Sequence, residues 1–73
     1  MRAIVSRNSY IVEECMIEIE ALKLALSNEQ KAAEAYRKLL AEHPALKDLF
    51  YFLLNEEQKH AAMIEKKIAE LYR

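Results

Sequence analysis

A single proline, Pro44, interrupts a chain of 73 residues that contains no glycine at all. Proline disfavours helical geometry in the residue before it and suits the first turn of a helix. The sequence therefore predicts two helices meeting at Ala41-Glu42-His43-Pro44. The first runs from about Ser9, whose hydroxyl could cap it, to about Glu42, and the second from Pro44 to about Tyr72. Ser27-Asn28-Glu29-Gln30 has the form of a capping box that would restart a helix. The apolar pattern crosses that segment without changing phase, so one continuous helix is expected there.

The pattern can be counted. Val12, Cys15, Ile19, Leu22, Leu26, Glu29, Ala33, Tyr36 and Leu40 follow one another at steps of three and four, which is one face of a helix. On the second helix Leu46, Phe50, Leu53, Glu57, His60, Ile64, Ile68 and Leu71 do the same. Around Leu49 to Leu54 (LFYFLL) the apolar residues go all round, which implies more than one neighbouring helix. A hairpin this short cannot hide 53% hydrophobic residues by itself. The fold expected is one domain over 1–73, an all-α antiparallel two-helix hairpin that homodimerises into a four-helix bundle, with further assembly of dimers left open.

Other partners are disfavoured. Eleven basic and twelve acidic residues are interspersed to a net charge of -1, so no basic stripe faces a nucleic acid. The run Leu49 to Leu54 is far short of the ~20 residues that cross a bilayer. The N-terminus carries arginines without a sustained apolar region, unlike a signal peptide, and one cysteine, Cys15, gives no intrachain disulfide framework. The expected compartment is the cytoplasm.

Three polar residues occupy the seam. Glu29 lies about fourteen residues before the turn, and Glu57 and His60 straddle a point about fifteen residues after it. At ~1.5 Å per residue, antiparallel folding brings all three to one level, roughly 22 Å from the turn. Glu57 and His60, at i and i+3, share a face. Ionised carboxylates in an apolar seam are costly unless compensated, and iron or manganese, which carboxylate oxygens and imidazole nitrogens bind well, would compensate them. One hairpin supplies three such groups; two related by a two-fold axis supply four carboxylates and two histidines. The competing account is a buried polar layer that fixes helix register without metal.

The stretch ALSNEQKAAEAYRKLLAEHPALKDLFYFLLNEEQKHAAMIEK, Ala25 to Lys66, resembles the metal-binding helix pair of the rubrerythrin branch of the ferritin-like superfamily. In layout the chain is similar to the encapsulated ferritins, two-helix chains that each carry half of the ligands, and NEEQKHAAM is close to their second-helix motif. The resemblance implies a ferritin-like four-helix bundle of two chains enclosing a di-iron centre. Glu29, Glu57 and His60 would be the iron ligands, one glutamate bridging, and Tyr36 would fill the aromatic position seven residues after the first ligand, with a catalytic role. It also implies ferroxidase-type chemistry on Fe2+ with O2 or peroxide as oxidant, and admits an encapsulin shell as partner, although no targeting peptide is seen. Departures are clear: there are no paired Cys-x-x-Cys motifs, and Ala35 stands where a bulky aromatic is expected.

The remaining polar residues have ordinary explanations beside functional ones. Tyr36 could hydrogen-bond a ligand carboxylate or carry an electron, or simply pack in the core with its phenol satisfied. Glu13, Glu14, Glu18 and Glu20 form either an acidic approach for Fe2+ or a solvated face. Glu34 and Glu56 neighbour the ligands and could support or attract metal. Cys15 reads as a small buried hydrophobe, and His43 is too far along the helix to be a ligand within one chain. The expected function is a ferroxidase-type di-iron protein for iron handling. The alternatives are a non-enzymatic homo-oligomeric helical module and a metal-binding protein without redox turnover.

Overall fold

A computed structural model describes the backbone of residues 2–72 and the side chains of residues 14–72. It is helical throughout, in two helices: α1, Arg2–Glu42, and α2, Lys47–Leu71, joined through a single 3-10 turn at Pro44–Leu46. The two helices pack antiparallel on one another. α1 begins well before Ser9, so Ser9 is interior to the helix and does not start it. Nothing between Arg2 and Asn8 is a breaker, and an N-cap candidate begins a helix only where the preceding residues leave helical geometry. The side chains of Ser9, Val12 and Glu13 lie outside the described residues.

The continuity expected through Ser27-Asn28-Glu29-Gln30 is present, since α1 is one 41-residue helix. The second helix starts three residues later than Pro44, because Pro44 opens the tighter turn instead. His43 takes φ -130 and ψ 70, outside helical space, as the residue before a proline should. Its N–H still donates to the Leu39 carbonyl at 2.9 Å, and its own carbonyl accepts from Leu46 N–H at 2.9 Å. The chain thus reverses with its backbone groups paired, and among the described residues none has positive φ. That explains how it turns without glycine.

The shape is a rod. Its long axis is 65 Å and the other two are 14 and 12 Å, with a radius of gyration of 18.1 Å, against about 11 Å for a compact chain of this length. α1 is 41 residues and α2 is 25, so α1 runs on past the end of its partner by about 24 Å.

The core between the helices is thin. Only Ile19, Ala33 and Leu54 are buried among the described hydrophobic residues, at 6–7% exposure. Ile19 and Ala33 belong to the counted seam. Leu54 does not: the contact face of α2 is turned toward it and away from Leu53, which is half-buried. The period count averages over every neighbour a helix is built for, while a hairpin presents only one. The rest of the apolar surface is left outside, including Leu49, Phe52 and Met63 on α2 and Ile17 and Leu24 on α1.

Candidate metal site

The seam's polar layer closes as the helical rise requires. Each of Glu29, Glu57 and His60 offers one ligand atom, and these atoms all lie within 4.8 Å of one another. Two donors on one ion, with bonds near 2.1 Å, sit about 3.0–4.2 Å apart in tetrahedral or octahedral geometry. The three groups need only small side-chain movements to share a cation.

The electrostatics of Glu29 are the telling feature. Its Oε2 is buried and has no hydrogen-bond partner. The nearest cationic candidate is His60 Nδ1 at 3.6 Å, beyond hydrogen-bonding distance. A buried carboxylate oxygen without a partner is destabilising by about 1–3 kcal/mol, and a cation is one group that would remove that cost. His60 is the open end of the cluster, at 49% exposure against 25% for Glu29, while Glu57 is half-buried. The imidazole therefore lies at the surface of the single hairpin, where a second chain could meet it.

Tyr36 is not one of the converging groups. Its ring stacks on Phe50 with centroids 6.3 Å apart at 27°, a packing contact that ties α1 to the start of α2 on the turn side of the cluster. Glu34 and Glu56 are engaged on their own helices: Glu34 Oε2 accepts from Arg37 at 3.3 Å and Glu56 Oε1 from Lys59 at 3.3 Å. Glu14, Glu18 and Glu20 are exposed along α1, with Glu20 paired to Lys23 at 3.7 Å, as a solvated face would be. Cys15 is a free, half-buried thiol. His43 is exposed at the turn.

One set of residues near the site was missed by the period count. Gln30, Arg37, Gln58 and Glu65, with Glu57 itself and the small floor residues Ala33 and Ala61, line a groove of about 320 Å³. The sequence does carry a signal for it: Gln30, Arg37, Gln58 and Glu65 each follow a seam residue (Glu29, Tyr36, Glu57, Ile64) by one position. One position is ~100° round a helix, and in two antiparallel right-handed helices that rotation leads to the same side of the pair. By the same rule Leu49, Phe52 and Met63, each preceding a seam residue, mark the other side, and they are exposed. On α1 that side carries Ala21, Ala25, Ala32 and Ala35, small enough to let another helix approach. By the same rule Glu56, Lys59, Lys67 and Glu70 also fall on the side of Leu49, Phe52 and Met63, so that side mixes large exposed apolar residues with charged ones, and the three ligand-type residues lie between it and the groove.

No helix among the described residues is long and apolar enough to cross a membrane. Comparison with protein-family models, with curated proteins and with solved structures returns no match.

Proposed function

We propose that two copies of this chain pair through the side that exposes Leu49, Phe52 and Met63 into a four-helix, ferritin-like bundle whose interior holds a di-iron carboxylate centre of ferroxidase type. The observation that carries this reading is the convergence of Glu29, Glu57 and His60 around a buried, unpartnered carboxylate oxygen. Support for the pairing comes from the thin core, from the exposed Leu49, Phe52 and Met63, and from the half-exposed His60. A Glu on each of two helices with a Glu-x-x-His on each of the other two is the ligand set of ferritin-like di-metal bundles. Two copies of this chain supply that set.

Two bound Fe2+ would each give one electron, and O2 with two protons would take them up as H2O2; with peroxide as oxidant the same two electrons and two protons give two waters. The protein's part is electrostatic and geometric. Glu29 and Glu57 would hold the metals and lower the energy of the more highly charged ferric product, and His60 would add a nitrogen donor to the same set. Tyr36, stacked on Phe50, holds the two helices at a fixed separation beside the ligands, and a one-electron role for its phenol is the part of this reading that Tyr36→Phe tests. Manganese suits the same donors. Iron handling in the cytoplasm, with or without an encapsulin shell, is the physiological setting we propose.

The test is anaerobic Fe2+ titration followed by O2. About one iron per chain, then a rise in ferric-oxo absorbance on oxygenation, is the expected result, with both lost in Glu29→Ala. Metal bound without O2-dependent absorbance would leave a binding protein rather than an oxidase. No metal bound by the unaltered chain would leave a helical module whose polar layer sets register. In Tyr36→Phe the stoichiometry should persist, and a slowed oxidation would assign the phenol a part in it.

A further inference from the structure

We propose that the polar groove lined by Gln30, Arg37, Gln58, Ala61 and Glu65 is the hydrated route by which divalent cations reach the ligand cluster, with Glu65 the first carboxylate met and Glu57 the last. The inference rests on the metal reading of Glu29, Glu57 and His60 given above. Three observations carry it. Glu57 lines this groove as well as belonging to the cluster, so the groove ends on a ligand. Its floor is made by Ala33 and Ala61, where a larger side chain would close the space between the helices. Its charge is uncompensated: Arg37, the one cation in the lining, is already paired with Glu34 at 3.3 Å. Among the described residues neither Glu57 nor Glu65 has a cationic side chain within the 4.0 Å of an ion pair.

On the other side Leu49, Phe52 and Met63 present nothing to replace the water around a divalent ion, and the Glu56 carboxylate there is already paired with Lys59 at 3.3 Å. The groove lies away from the surface proposed for the second copy. Glu65 is eight residues beyond Glu57, about 12 Å along α2, which is close to one Debye length at moderate ionic strength. An ion held loosely at Glu65 therefore feels the field of Glu57 before it has shed its water, with the Gln30 and Gln58 amides available as neutral oxygen donors at the Glu57 end of the groove.

The test separates the rate of arrival from the capacity of the site, using Mn2+ and the full chain without oxidant. Stopped-flow association and equilibrium stoichiometry are measured for the unaltered protein, for Glu65→Gln, for Ala61→Leu and for Glu70→Gln, whose carboxylate is outside the groove lining. We expect unchanged stoichiometry in all of them. Association should slow roughly two- to fivefold in Glu65→Gln, with a weaker dependence on salt, and about tenfold in Ala61→Leu, while Glu70→Gln matches the unaltered chain. Should Ala61→Leu disturb helix packing, seen by circular dichroism, Glu65→Gln and its charge-reversed partner Glu65→Lys decide alone. Full stoichiometry with association rates equal to those of the unaltered protein overturns the route and leaves the metal site standing. Absence of Mn2+ binding in the unaltered protein overturns the metal site itself, and the route with it.

Discussion

Glu29 is the residue on which the site depends, because one of its oxygens is both buried and unpartnered. In the metal-free protein that arrangement should lower stability, and removing the charge while keeping the volume should raise it. Glu29→Met is expected to be about 1–2 kcal/mol more stable than the unaltered protein when both are metal-free. Adding Mn2+ should raise the melting temperature of the unaltered protein only, so the order reverses. Paired thermal melts with and without metal check both halves; a metal-free Glu29→Met that melts lower than the unaltered protein would show that the carboxylate is satisfied as it stands. The position of Glu29 opposite Glu57 and His60 was legible in the sequence because helical rise is constant, so equal counts from Pro44 become equal heights. That Glu29 Oε2 lacks a partner was not legible, since it depends on where His60 Nδ1 stops, at 3.6 Å.

Helix boundaries were legible where a residue forbids helix and obscure where one merely permits an end. Pro44 fixed the turn. Ser9 suggested a start that α1 ignores, and the 3-10 geometry of Pro44–Leu46 displaced the start of α2 to Lys47. Pro44 is consequently the residue that breaks the helix at the turn, since no glycine and, among the described residues, no side-chain cap assists it. Pro44→Ala should let the two segments run on as a single helix of about 70 residues, exchanging hairpins between copies. Size-exclusion with light scattering should then show a longer particle, with helicity by circular dichroism equal or higher. An unchanged hydrodynamic radius would mean that the Tyr36–Phe50 stack and the cluster hold the hairpin without the proline.

At the scale of the molecule the thin core sets the behaviour. A rod 65 Å long has three buried hydrophobic residues among those described, and if two copies pair as proposed, association should carry much of the folding free energy. Phe52, 59% exposed, and Met63, 69% exposed, mark the side expected to meet a second copy. Phe52→Glu should lower the oligomer's affinity by at least about tenfold and make helicity depend on concentration in the micromolar range, as sedimentation and circular dichroism would report. The expectation of a second copy comes from 53% hydrophobic residues in so short a chain; which large apolar residues stay exposed on the hairpin became visible only with the helices set antiparallel. One further property follows from the ion pairs. Among the described residues four of them are i,i+3 pairs within a helix, and the Glu29–His60 contact alone joins α1 to α2. Apolar seams slide cheaply by whole heptads, about 10.5 Å at a time, and surface charge elsewhere does nothing to stop them. Within one hairpin the Pro44–Leu46 turn already fixes how far the helices run past each other; between two copies no such tether exists, and there the polar layer should act as a detent on an otherwise smooth rail.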